Sequence, residues 1–240
     1  MTVELLDDPG AVARQAATRI EAAAREATAD RGRFTVAFSG GPTPAATLAE
    51  LAQREVLWPR VHVFQVDERI APDGHPDRNA GPLRDFADRV GLPAANLHLA
   101  PVGALDPEAA ARAYERDLRE TCGRPPVLDL VQLGLGGDGH TASLVPGDPV
   151  LEVEDRDVAA TGIFNGRRRV TLTFPAIDRS RHLLWIVTGA EKADAIRRLV
   201  AGDPSIPAGR VRRDRARLVV DREGGGELSA GQELTDDGGR

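Results

Sequence analysis

The stretch LDLVQLGLGGDGHTASLVPG, residues 128–147, joins a largely apolar run to a glycine-rich loop that carries one histidine. The run at 128–135 is typical of a strand buried inside a parallel sheet. Comparable runs stand at residues 34–38, 61–66, 169–174, 183–189 and 217–221. Segments with helical spacing separate most of them. This alternation predicts an α/β fold: a single-domain, doubly wound, mainly parallel sheet with helices on both faces.

Length and composition set further bounds. We expect residues 1–222 of the 240 to form one domain, and the glycine-rich, acidic segment 223–240 to be a disordered tail. One cysteine, Cys122, allows neither a disulfide framework nor a cysteine zinc site. The net charge of −6 argues against a nucleic-acid partner, and no apolar run is long enough for a membrane span. We therefore expect a cytoplasmic protein, monomeric because no apolar stripe is left over once the core is assigned.

Polar residues follow the first two predicted buried strands. Ser39, Gly40 and Gly41 come directly after the run at 34–38 and lead into a helix, and Asp67 and Arg69 follow the run at 61–66. Glycines and free amides at a helix start favour phosphate. Ligands of such folds bind outside the carboxyl ends of the strands, so these groups are expected to converge on one site.

The loop after residue 133 shows the spacing Gly134-x-Gly136-x-x-Gly139 of a dinucleotide-binding turn. That interpretation requires a long helix after the third glycine, whereas the chain continues only as HTASLV before a Pro-Gly turn. The nearby acidic residues also lie in a charged segment rather than at a strand end. The loop instead presents His140 with Asp138 two residues away, which is the composition of a general base and its orienting carboxylate.

Lysine usage gives one further indication. The chain has 31 lysine and arginine residues together, and Lys192 is the single lysine among them. Lysine and arginine are not interchangeable at a tight polar site. The single lysine therefore suggests that Lys192 lies at a binding site that requires a compact ammonium group.

Together these segments resemble the 6-phosphogluconolactonase family, within the larger group that includes glucosamine-6-phosphate deaminases. The resemblance spans roughly residues 5–222 and rests on five motifs in order: SGGPTPAATL, QVDERIAPDGHPDRNAG, LGLGGDGHTASLVPG, RVTLTFPAI and VTGAEKADAI.

The resemblance implies hydrolysis of 6-phospho-D-glucono-1,5-lactone to 6-phospho-D-gluconate, in the oxidative pentose phosphate pathway, without a metal or organic cofactor. By the same resemblance His140 would activate water, and Asp67 and Asp138 would orient the groups around it. The phosphate would be bound by Ser39, Gly40, Gly41, Arg69, Arg169 and Lys192. The oxyanion is expected to meet backbone amides of residues 136–140.

Three positions depart from the family pattern. Pro42 replaces a common serine in the first loop, which removes one amide and one hydroxyl from the expected phosphate cradle. Val145 replaces an aromatic residue, a change we expect to affect packing only. Arg78 replaces a serine, and we expect it either to add charge at the site or to point into solvent.

Three other functions are weighed against the lactonase. A deaminase of the same superfamily would carry a catalytic glutamate five residues after the histidine, where this chain has Val145. A non-catalytic sugar-phosphate sensor is expected to lose the base or its carboxylates, and both are present. A nucleotide-linked dehydrogenase requires the long helix that the glycine loop lacks.

Overall fold

A parallel sheet forms the centre of the computed structural model, which describes residues 1–103, 106–226 and 228. Within that part of the chain the sheet has seven strands. Numbered along the chain and given in spatial order, they are β1 (Thr2–Leu6), β10 (Ala216–Asp221), β9 (His182–Val187), β6 (Leu130–Leu133), β2 (Phe34–Phe38), β3 (Val61–Gln65) and β5 (Leu97–His98). Every neighbouring pair is parallel. The predicted fold class is confirmed.

Helices connect these strands. They are α1 (Pro9–Arg31), α2 (Pro42–Leu51), α3 (Ala80–Val90), α4 (Pro107–Cys122), α5 (Phe174–Asp178), α6 (Ala193–Ala201), α7 (Pro207–Arg210) and α8 (Arg222–Gly225). Short 3-10 helices lie at Trp58–Arg60, Ala94–Asn96, Pro149–Glu152 and Ala190–Lys192. Local signals fix the ends of α1: the Asp8 carboxylate accepts a hydrogen bond from the Ala11 amide at 2.7 Å, and Gly32 ends the helix at φ 74°.

The core has two halves, one on each face of the sheet. In β2, Val36 belongs to the half of the core that contains α1, α2 and α3, whereas Ala37 belongs to the half that contains α4 and α6. Leu184 and Trp185 of β9 divide in the same way. Successive side chains of a strand point to opposite faces, so helices on both faces are what allow these strands to be apolar throughout.

A second, antiparallel sheet lies beside the main one. It consists of β4 (Asp67–Arg69), β8 (Arg169–Leu172) and β7 (Val158–Ala160), in that spatial order. The predicted strand at 169–174 is therefore a strand over its first four residues, but it does not join the parallel sheet. No helix separates β7 from β8, and a parallel pairing needs a long crossover, whereas an antiparallel one does not.

The end of the predicted domain falls inside a helix. The Asp221 carboxylate accepts a hydrogen bond from the Gly224 amide at 2.9 Å, and Gly224 and Gly225 are buried. The predicted tail begins at 223, within α8, and its residues 227 and 229–240 lie outside the described part of the chain. Within the described part, no helix is long and apolar enough to cross a membrane.

Candidate active site

The carboxyl ends of β2, β3, β6 and β9 open onto a cleft of about 320 Å³. Eight of the nine predicted site residues line it: Ser39, Gly40, Gly41, Asp67, Arg69, His140, Arg169 and Lys192. The ninth, Asp138, is hydrogen-bonded to His140. The topology explains much of this convergence, since the strands of the main sheet are parallel and each loop after one of them begins at the same edge. Asp67, Arg69 and Arg169 reach the cleft from β4 and β8 of the second sheet.

The histidine loop is a tight turn that holds its own imidazole. The Gly136 amide donates to the His140 carbonyl at 2.8 Å, and the Gly139 amide donates to the Gly136 carbonyl at 3.0 Å. Asp138 Oδ1 accepts hydrogen bonds from the amide of His140 at 3.1 Å and from its Nδ1 at 2.6 Å. A carboxylate only accepts, so Nδ1 carries a proton, and in the neutral form of the imidazole Nε2 keeps a free lone pair.

The Asp138 carboxyl is held in its charged form by the same contacts. Partial burial by itself would raise the pKa of Asp138, but the hydrogen bonds from the His140 amide and imidazole outweigh it, so that the pKa lies below its usual value. The pair therefore combines a charged acceptor with an imidazole whose second nitrogen has no hydrogen-bond partner among the described residues.

Two glycines make this turn possible. A methyl group on Gly136 would collide with His140 Nδ1 and would lie 2.5 Å from Asp138 Oδ1. Gly139 adopts φ 83°, and a Cβ there would lie 2.5 Å from Ile206 Cβ. The first glycine thus makes room for the histidine–aspartate pair, and the second reverses the chain beneath it.

Asp67 lies at the buried floor of the cleft, where it is only 6% exposed. Its Oδ2 accepts a hydrogen bond from Ser143 Oγ at 2.6 Å and lies 3.9 Å from Arg169 Nη1. Asn79 Nδ2 donates to the Asp67 carbonyl at 2.9 Å. Burial raises the pKa of Asp67, while the Ser143 hydrogen bond and the positive charge of Arg69 and Arg169 oppose the rise. Asp67 therefore orders the groups around it rather than facing solvent.

The loop after Asp67 is anchored by Glu68, which is fully buried. Its carboxylate accepts hydrogen bonds from the Asn79 amide at 2.8 Å and the Ala80 amide at 2.9 Å, and it forms an ion pair with Arg78 Nε at 3.0 Å. Arg78 therefore neither charges the cleft nor reaches solvent, and both expectations for it were wrong. A buried carboxylate needs a buried partner, and Arg78 is that partner.

Ser39 is held by the neighbouring strand. Its amide donates to Gln132 Oε1 at 3.1 Å, and its hydroxyl donates to the Gln132 carbonyl at 3.0 Å. Both donors of Ser39 are therefore used within the protein. What Ser39 offers a ligand is its remaining oxygen lone pair and a fixed backbone.

The next residues form an open helix start. Neither the Gly40 nor the Gly41 amide donates to any group in the described part of the chain. Gly41 adopts φ 117°, and a Cβ on Gly40 would collide with the side chain of Asn79. Pro42 occupies the first turn of α2, where an amide would have no partner inside the helix. This start of a ten-residue helix is suited to an anion.

Three cations face the same cleft in different states. Arg69 Nη1 donates to the Asp77 carbonyl at 2.7 Å. Arg169 is 7% exposed, and burial lowers its pKa while the charge of Asp67 opposes this effect. Lys192 is half-buried, and its ammonium group has no hydrogen-bond or ion-pair partner among the described residues. A lysine without a partner at the rim of a polar cleft is available to a ligand.

The sequence analysis did not identify several residues that line this cleft or contact the residues that do: Thr43, Ser143, Phe164, Thr188 and Glu191. Ser143 lies in the histidine motif, and Thr188 follows β9 as Ser39 follows β2, so motif membership and strand-end position could have indicated both. Phe164 lies outside all five motifs, five residues before RVTLTFPAI, so motif membership did not indicate it.

Comparison with known proteins gives the family to which this chain is similar. The family model described as glucosamine-6-phosphate isomerases/6-phosphogluconolactonase matches residues 7–220. A 6-phosphogluconolactonase of Synechocystis sp. is 39% identical over 212 residues, covering 85% of this chain and 88% of that protein. One of Mycobacterium tuberculosis is 34% identical over 244 residues, covering 95% and 98%.

A solved structure shows the same fold. The crystal structure of 6-phosphogluconolactonase from Thermotoga maritima superposes with a TM-score of 0.82 at 28% identity, covering 92% of this chain and 98% of that one. From its sequence and its fold, this chain belongs to the family of glucosamine-6-phosphate isomerases and 6-phosphogluconolactonases.

Proposed function

We propose that the protein hydrolyses 6-phospho-D-glucono-1,5-lactone to 6-phospho-D-gluconate, a step of the oxidative pentose phosphate pathway. The observation that carries this proposal is the pair of His140 and Asp138 at a cleft that also collects Arg69, Arg169 and Lys192. An imidazole with a free nitrogen suits acyl hydrolysis, and the cations suit a phosphorylated substrate. The names of the relatives support the same reaction.

In this mechanism His140 acts as the general base. Its Nε2 takes a proton from water as the water oxygen bonds to the lactone carbonyl carbon, and the carbonyl π electrons move onto oxygen. When the tetrahedral intermediate collapses, the bond to the ring oxygen breaks and the imidazolium returns its proton to that oxygen. Asp138 stabilises the imidazolium and keeps the proton on Nδ1 in the resting state. A positioned base of this kind supplies about 10²- to 10⁴-fold in rate.

The phosphate group is assigned to the open start of α2 and the adjacent cations. The free amides of Gly40 and Gly41 and the positive end of the helix dipole favour an anion there. Arg69, Arg169 and Lys192 add formal charge. Ser39 fixes the position of this loop through its two bonds to β6, and Asp67 orients groups at the floor of the cleft.

Three of the five backbone amides expected to meet the developing oxyanion, those at residues 136–140, are already in use. The amides of Gly136, Gly139 and His140 are already donated within the turn. Arg169 and the base His140 both contact the ring of Phe164, so this guanidinium lies near the base. We assign to it the compensation of charge on that oxygen, in addition to its part in anion binding.

The deaminase alternative lacks a proton donor at the expected place. Val145 stands five residues after His140 and is buried. A valine moves no proton, so ammonia release from glucosamine 6-phosphate is not expected. A sugar-phosphate sensor would bind the lactone without hydrolysing it. The assay described next separates the two functions, because it measures product formation.

The test is a coupled assay. The lactone is generated in situ, and 6-phosphogluconate formation is followed against the spontaneous rate, with glucosamine 6-phosphate tested in parallel for ammonia. Acceleration of the first reaction alone supports the proposal. His140→Asn should keep the fold and lose at least about 100-fold in kcat. Wild-type turnover in that variant would exclude His140 as the base, and ammonia release would assign the chain to the deaminases.

We further propose that the protein acts in the cytoplasm as a monomer, with the sugar-phosphate lactone as its ligand and without a nucleic-acid partner or cofactor. Light scattering after gel filtration tests the monomer, and a dimer mass would contradict it.

A further inference from the structure

A tight hairpin precedes the strand that carries Arg169. The amide of Phe164 donates to the Arg167 carbonyl at 2.9 Å, and the Arg167 amide donates back at 3.3 Å. Asn165 and Gly166 between them adopt φ 50° and φ 76°. Asn-Gly with two positive φ angles is the preferred two-residue turn of a hairpin, so the direction of the Phe164 side chain is well defined.

The hairpin is fastened to the loop that follows Asp67. Arg167 Nε donates to Asp77 Oδ2 at 2.9 Å, and Arg167 Nη2 lies 3.0 Å from His75 Nε2. Asp77 in turn accepts, through its carbonyl, the hydrogen bond from Arg69 at 2.7 Å. Through Asp77 the hairpin is thereby connected to Arg69, a second cation of the cleft.

The ring of Phe164 contacts two groups of the proposed mechanism. Its centroid lies 5.3 Å from that of the His140 imidazole, with the planes at 65°, and 5.0 Å from Arg169 Cζ. The first is an edge-on aromatic contact and the second places a cation over a ring face. Phe164 itself does not line the cleft. It contacts both side chains.

Each of these side chains also has a polar partner: Arg169 Nη1 donates to Ser143 Oγ at 3.5 Å and lies 3.9 Å from Asp67 Oδ2. The hydrogen bond from Nδ1 of His140 to Asp138 restrains the imidazole at one atom. Arg169 is buried, and its Nε has no hydrogen-bond partner in the described part of the chain. An aromatic ring in contact with both restricts the imidazole plane and compensates the cation.

We propose that Phe164 is a positioning residue, which holds the His140 imidazole and the Arg169 guanidinium together beside the reacting carbonyl. Its kinetic consequence rests on the proposed function. Its structural consequence, the contact with the imidazole, does not.

The test compares Phe164→Ala, Phe164→Leu and Phe164→Tyr with a control, Ile163→Ala. Ile163 is the preceding residue and is 76% exposed, so its removal changes the same hairpin without touching the site. We expect kcat/KM for the lactone to fall about 10-fold in the alanine and leucine variants, mainly through kcat, because aromatic and cation contacts of this kind are lost. The tyrosine variant retains the ring and should stay within about 2-fold of wild type.

A spectroscopic readout separates this inference from the proposed function. The chain has five histidines, so their imidazole proton resonances can be distinguished by NMR, and His140→Asn assigns one of them. The ring current of Phe164 should displace the His140 resonance. Phe164→Ala and Phe164→Leu should remove the displacement, and Phe164→Tyr and Ile163→Ala should keep it.

Each outcome has one meaning. If kcat/KM and the His140 resonance are both unchanged in Phe164→Ala, Phe164 is not a positioning residue. If the wild type lacks lactonase activity, the proposed function fails and the resonance alone decides the contact. Phe164→Leu keeps most of the volume, so loss of activity in a variant that melts like wild type cannot be attributed to unfolding. An equal loss in Ile163→Ala would assign the effect to the hairpin and overturn the proposal.

Discussion

Replacing Gly136 by alanine should inactivate the protein without unfolding it. The backbone of Gly136 is not in the left-handed region, so an alanine there is not strained by its φ angle. Its methyl group would instead collide with His140 Nδ1 and lie 2.5 Å from Asp138 Oδ1, well inside van der Waals contact. Both obstacles are ends of side chains. They are expected to rotate away, which breaks the hydrogen bond between them.

The cost of this change differs between stability and activity. Replacing glycine by alanine by itself stabilises the folded protein by about 0.4–1 kcal/mol, because it lowers the conformational entropy of the unfolded chain. A lost, partly exposed hydrogen bond costs at most about 0.5–1.5 kcal/mol, so the net change should stay within about 1 kcal/mol. For a chain of this size that is a shift in Tm of about 2–4 °C at most. Turnover, in contrast, should lose the contribution of an aligned general base, about 100-fold or more.

Gly137 provides the matched control. A Cβ on this adjacent glycine would meet its nearest atom, the Glu191 carbonyl oxygen, at 3.7 Å, which is an ordinary contact. Gly137→Ala should therefore keep kcat near the wild-type value. The measurement is kcat and Tm for both variants. Near-normal turnover in Gly136→Ala would refute the reasoning, as would an equal loss in Gly137→Ala.

Three further outcomes are expected. Asp138→Asn should lower kcat about 100-fold with little change in KM, because an amide no longer keeps the proton on Nδ1 of His140; steady-state kinetics check this, and unchanged kcat would exclude the pair. Lys192→Ala should raise KM about 10-fold without changing Tm, since its ammonium has no partner among the described residues; an unchanged KM would place it outside the site. Burial, together with the nearby charge of His98, lowers the pKa of His62 in the folded protein. As the pH drops below about 6.5, His62 is therefore protonated in the unfolded chain before it is protonated in the folded one, and the free energy of unfolding should fall. Urea unfolding should show a flatter pH dependence in His62→Gln, and an unaltered slope would contradict this origin.

Local patterns in the sequence predicted most of the fold. Buried strands of a parallel sheet consist of apolar runs. The starts and ends of helices carry capping residues, as Asp8 and Gly32 show for α1. The same patterns predicted the site, because every loop after a parallel strand begins at one edge. Residues as distant as Ser39, His140 and Lys192 were expected there and do line one cleft.

What the sequence by itself determined is thus which segments are strands and helices and which polar residues stand at strand ends, because these depend on near neighbours. Only the tertiary structure decided the partners. It placed β8 in a second sheet and brought Phe164 into contact with His140. It also turned Arg78 inward onto Glu68 and used both donors of Ser39 on Gln132. Ser39 and Gln132 are 93 residues apart. A contact over that distance is fixed by how the strands pair and the loops pack, and no local spacing in the chain encodes it.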